Sequence, residues 1–143
     1  MRRVALLITA AAFVACARPA EEPAEEAAAP AGLTLADLAG TWNLTTIVGT
    51  DTVYTTMSGT ADPASWVMNL ENRDPVPLTV MVDADSVVMT GGPFESVIRA
   101  GVMVSVRTVS HLMNGQMMGT LYATYADQPD SVRSGPITGT RGM

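Results

Sequence analysis

Lysine is missing from all 143 residues, so eight arginines face fourteen Asp and Glu for a net charge of −6. An acidic chain without a basic patch has no electrostatic footprint for nucleic acid and no attraction to anionic lipid headgroups. There is one cysteine and one histidine, which excludes disulfides and the Cys/His spacings of a zinc site. No nucleophile elbow, phosphate loop or metalloprotease helix can be traced. His111 has no acid or nucleophile beside it in the strand register derived below, so an enzyme is not expected, nor a cofactor. Asp83-Ala84-Asp85 lacks the glycine and distal glutamate of a calcium loop and reads as a solvated turn.

What the chain does contain begins with "MRRVALLITAAAFVAC". Arg2 and Arg3 precede an apolar run from Val4 to Val14, too short for the ~20 residues of a membrane span, which is the pattern of a secretory signal. The run stops at Cys16. "Phe-Val-Ala-Cys" resembles the lipobox of bacterial lipoproteins, and that resemblance implies a lipid on Cys16 and a membrane as partner. The alternative is cleavage after Ala15 or Ala17, which leaves an unpaired thiol. Residues 17–32, "ARPAEEPAEEAAAPAG", bury too little apolar surface to offset the entropy of folding, and their prolines and glutamates predict a disordered, extended tether. Ala17 after the cysteine, by analogy with lipoproteins, implies the outer membrane or periplasmic face of the cell envelope rather than the inner membrane.

Residues 33–143 make one domain, with five arginines against ten acids. Short segments rich in Val, Thr, Tyr and Met follow one another: TWNLTTIV, DTVYTTMSG, SWVMNLEN, PLTVMVD, DSVVMTGG, FESVIRAG, VMVSVRTVSHL, MMGTLYATYAD and PITGTR. Gly, Pro, Asp or Asn bounds each one, with little helical period. The helical exception is Thr34-Leu35-Ala36-Asp37, a capping-box start for one turn. Strands without room for crossover helices are antiparallel neighbours. Eight or nine of them predict an all-β fold, an up-and-down barrel of about eight strands or a sandwich. The barrel is favoured because closure removes sheet edges.

One hairpin can be registered residue by residue. Asn114-Gly115 is the strongest two-residue turn signal, and it pairs Met113 with Gln116, Leu112 with Met117, His111 with Met118 and Arg107 with Tyr122. The inner face then holds Val102, Val104, Val106, Thr108, Ser110 and Leu112 opposite Met117, Gly119, Leu121, Ala123 and Tyr125. A slip of one residue would invert it.

Gly40-Thr41-Trp42, after a helical turn at the head of an all-β domain, resembles the Gly-x-Trp signature of the calycin superfamily, which includes the lipocalins. The resemblance implies that Trp42 plugs one end of a barrel and that a basic residue of the last strand lies across it. Arg141, in Ile137-Thr138-Gly139-Thr140-Arg141, is placed for that role. Gly40 would permit close backbone approach.

Three binding readings follow. The first is a tethered barrel holding a small hydrophobic ligand, with Val104, Val106, Thr108, Leu121 and Tyr125 lining its cavity. The second is a protein-interaction module, an inhibitor or envelope assembly factor without a cavity. It would act through the Pro-bearing turns at 61–66, 72–75 and 126–130. The third is a Cu(I) site of His111, Met113 and Met118 on the outer face, set against methionine as plain filler in a methionine-rich chain.

Overall fold

The computed structural model describes residues 32–143. The signal at 1–16, the lipidation site Cys16 and the tether, apart from Gly32, lie outside the described residues.

A single helical turn, α1 (Leu35–Leu38), opens the domain. Thr34 caps it as expected: its backbone N–H donates to the Asp37 carboxylate at 2.8 Å, and its hydroxyl accepts from the Asp37 N–H at 3.4 Å. This reciprocal pair satisfies donors that a helix start otherwise leaves bare. Eight strands follow: β1 (Gly40–Val48), β2 (Asp51–Gly59), β3 (Val67–Asn69), β4 (Val76–Asp83), β5 (Ser86–Glu95), β6 (Met103–Met113), β7 (Gln116–Tyr125) and β8 (Gln128–Arg141). Each is antiparallel to the next, and β8 returns to β1, so the sheet is a closed barrel. None of the described helices is long and apolar enough to cross a membrane.

The β6–β7 register is the one the Asn-Gly turn dictates. Met113 faces Gln116, His111 faces Met118 and Arg107 faces Tyr122. Asn114 and Gly115 both take positive φ, 52° and 77°, as a type I′ turn requires. Inward residues of this hairpin are buried or half-buried, among them Val104, Thr108, Ser110, Met117, Ala123 and Tyr125.

Three expected segments differ. FESVIRAG is not a strand of its own: Phe94 and Glu95 finish β5, and the chain then turns. The cause is Ser96, whose hydroxyl accepts from the N–H groups of Ile98 (3.2 Å) and Arg99 (3.1 Å) and so competes with a sheet ladder. SWVMNLEN yields only the three residues of β3, because Trp66 ends a 3₁₀ turn at Pro63–Ser65 and Leu70 begins a loop. The last strand starts eight residues before PITGTR, at Gln128. Its first seven residues are all exposed, so no burial alternation marks them.

The core is asymmetric along the barrel axis. A large cluster joins Leu38, Trp42, Met57, Trp66 and Met117 at the helix end with Val87 and Val80, and continues through Leu44, Leu78 and Met89 into the wall of the barrel. A smaller one of Val104, Ala123 and Tyr125 lies toward the other end.

Candidate functional site

The two ends follow from strand direction. The 114–115 turn, the 84–85 turn, the 60–66 connection and α1 crowd one end. The connections at 49–50, 70–75, 96–102 and 126–127 make the other.

At the first end Trp42 is fully buried, and its indole N–H donates to the Leu38 carbonyl at 2.8 Å. Trp42 and Arg141 are cross-strand partners, and the guanidinium carbon stands 4.5 Å from the ring centroid. Such a contact is worth ~0.5–2 kcal/mol. The same guanidinium donates to the Ala39 carbonyl at 2.7 Å and to the Asp37 carbonyl. It therefore ties the last strand to the turn that precedes the first. Gly40 has φ +122°, and a Cβ there would meet the Arg141 guanidinium at 3.3 Å, so both backbone and space favour glycine. The Asp37 carboxyl is held below its ordinary range, first by the Thr34 hydroxyl, then by the Thr34 backbone N–H, with a smaller contribution from the charge of Arg141.

Trp66 belongs to this end as well. It closes the Pro-bearing 61–66 turn and opens the SWVMNLEN segment, and it is 1 % exposed. Its ring lies against the bare backbone of Gly59, where a Cβ would come within 2.2 Å. The turn before it is stitched internally: Ser65 Oγ donates to the Asp62 carbonyl, and Asp62 Oδ1 accepts from the Ala64 N–H. Gly59 at the close of β2 was the available signal for a large side chain packed on the backbone.

Toward the other end the barrel encloses a cavity of about 80 Å³. One water needs ~10–15 Å³, whereas sites for drug-sized ligands run to ~300–1,000 Å³. Val104, Val106, Thr108, Leu121 and Tyr125, the five residues singled out from the hairpin, all line it. The other strands contribute Leu44, Thr46, Val53, Met68, Leu78, Met89 and Ile137, which no motif announced. None of the lining residues is charged, and none of Trp42, Met57, Trp66 and Met117 reaches it. Three buried side-chain polar atoms among the described residues have no hydrogen-bond partner: Trp66 Nε1, Thr108 Oγ1 and Ser110 Oγ. An unpaired buried donor or acceptor costs about 1–3 kcal/mol.

The 96–102 connection borders the cavity through Ser96, Val97 and Ile98, and Val97 is 44 % exposed. Two arginines hold this segment. Arg99 makes a bidentate pair with Asp127, at 3.1 and 2.6 Å, and stacks 4.8 Å from the Tyr125 centroid. Arg73 donates to the carbonyls of Glu95 and Ser96.

On the outer wall, His111 and Met118 are opposite one another. His111 Nδ1 is 3.4 Å from Ser86 Oγ and 3.8 Å from Asp85 Oδ1. No group of three His, Cys, Asp or Glu suited to a metal occurs among the described residues.

In comparisons with known proteins the chain matches no family model, no curated protein and no solved structure.

Proposed function

We propose that this is a lipid-anchored binding protein of the cell envelope, whose calycin-like barrel holds a small apolar ligand. The observation that carries this reading is the uncharged cavity of about 80 Å³ between Thr108 and the 96–102 connection. Close-packed interiors keep few voids larger than a water molecule, and an apolar pocket with a few polar groups is what a small ligand needs. Trp42 under Arg141 shuts the opposite end, so a ligand has one way in. Anchoring rests on Cys16 and its apolar leader; a covalent lipid would do the membrane work that an acidic surface does not.

The competing reading, protein recognition through the loops, draws less support. It has no use for a cavity, and the 60–66 turn spends its polar groups on itself, with Thr60 Oγ1 2.9 Å from Ser65 Oγ.

Native mass spectrometry of the full-length protein, before and after mild denaturation, tests the binding reading. An added mass that leaves on denaturation is expected; a clean apo mass from cells and after incubation with short-chain amphiphiles would overturn it. The anchor has its own test. Cys16→Ala should abolish incorporation of labelled palmitate and move the protein from the membrane to the soluble fraction.

A further inference from the structure

The ligand class can be narrowed from the inside of the cavity, on the premise that the cavity binds a ligand at all. Thr108 is 4 % exposed, its Oγ1 has no partner, and it lines the cavity. Neither of the other unpartnered polar atoms shares that position: Trp66 and Ser110 do not line the cavity. Thr108 sits across the ladder from Met89 on one side and Leu121 on the other, at the middle of β6. Ser110, one pleat further on, is fully buried and faces the plugged end. Thr108 therefore stands at the floor, with Val97, Ile98 and Tyr125 near the mouth.

We infer that the cavity takes a small neutral amphiphile inserted polar end first, its hydroxyl or carbonyl meeting Thr108 Oγ1, and that it rejects carboxylates. A threonine hydroxyl can both donate and accept, so either group satisfies it. A carboxylate at the floor would be a buried charge among uncharged side chains. A carboxylate at the mouth fares little better. The connections and adjoining strand ends there carry Asp51, Glu71, Asp74, Glu95 and Asp127, and the arginines of the connections are engaged, Arg99 by Asp127 and Arg73 by two backbone carbonyls. Like charges at the rim lower the local concentration of anions. The polar end goes in first because Thr108 Oγ1, shut off from water, gains a partner only in that orientation.

Calorimetric titration of the full-length protein with 1-hexanol, hexanoate and toluene at pH 7.5 tests this, using wild type and Thr108→Val. Valine keeps the shape of threonine and removes the hydroxyl, and thermal melting checks that the fold is retained. Hexanol is expected to bind at least tenfold more tightly than hexanoate. Thr108→Val should weaken hexanol roughly five- to tenfold, the scale of one hydrogen bond, and leave toluene unchanged or tighter. Hexanoate binding as well as hexanol, or a hexanol affinity indifferent to Thr108→Val, would overturn the inference. In both cases binding itself survives and the broader reading stands. If none of the three probes binds either protein, the cavity is not a ligand site and both conclusions fall together.

Discussion

The two ends of this barrel solve opposite problems with neighbouring strands. At the helix end, Trp42 satisfies its N–H on the Leu38 carbonyl, lies under Arg141 and is packed by Met57 and Met117. Further along the barrel the wall is just as apolar but surrounds open space, and Thr108 keeps a hydroxyl without a partner. Stability is concentrated where the barrel is plugged, and the means of binding lie where it is not. A protein that needs a rigid scaffold and an adaptable mouth can divide them this way.

Mutations at the two ends should therefore differ in size and even in sign. Trp42→Ala removes the largest plug and should cost about 3–5 kcal/mol, seen as a large drop in the urea midpoint. A loss below 1 kcal/mol would mean that the plug is not what holds the barrel. Arg141→Ala keeps the indole but uncovers it and frees the Ala39 and Asp37 carbonyls; about 1 kcal/mol is expected, because the guanidinium is solvent-exposed. Thr108→Val should run the other way and stabilise by up to about 1 kcal/mol, since it deletes an unpaired buried hydroxyl. A destabilised Thr108→Val would place a hidden partner at that hydroxyl and erase the contrast. The smallest effect concerns pH. Asp37 has a depressed pKa in the folded protein, so its contribution to the α1 cap is complete above the ordinary carboxylate range. It is lost only as pH falls below that range, through the depressed value. Amide protection at Ala36–Leu38, corrected for the pH dependence of intrinsic exchange, should stay flat from neutral pH down to that range and fall below it, and Asp37→Asn should remove the inflection.

Much of the frame was legible because local chemistry dictated it. Asn114-Gly115 fixes one turn geometry, and period 2 then forces the face of every residue from Val102 to Tyr125. Thr34 and Asp37 announce their cap at a spacing of three. The pairing of Trp42 with Arg141 rested on resemblance, and nothing in the spacing of residues a hundred apart could have derived it. The cavity was half legible: five lining residues came from one hairpin, but those from β1 to β5 and β8 depended on how the strands close. Trp66 and the 96–102 connection were misread for a common reason. A tryptophan beside a proline turn looks like a surface feature until Gly59 is known to lie beneath it. Ser-Val-Ile-Arg looks like a strand until the serine hydroxyl is seen to take the N–H groups two and three residues on. The exposed start of β8 is a strand by hydrogen bonding alone, and burial periodicity is blind to such a segment.

The seam between β1 and β8 bears on how the protein is made. Thr46 pairs with Ile137 and Trp42 with Arg141, so the first strand waits for the last. Until residues 137–141 are available, β1 has an edge with no neighbour, and the closing loop spans nearly the whole domain, which makes closure slow by topology. A chain lacking residues 137–141 stays an open sheet, with β1 exposed as an edge that another strand could pair with.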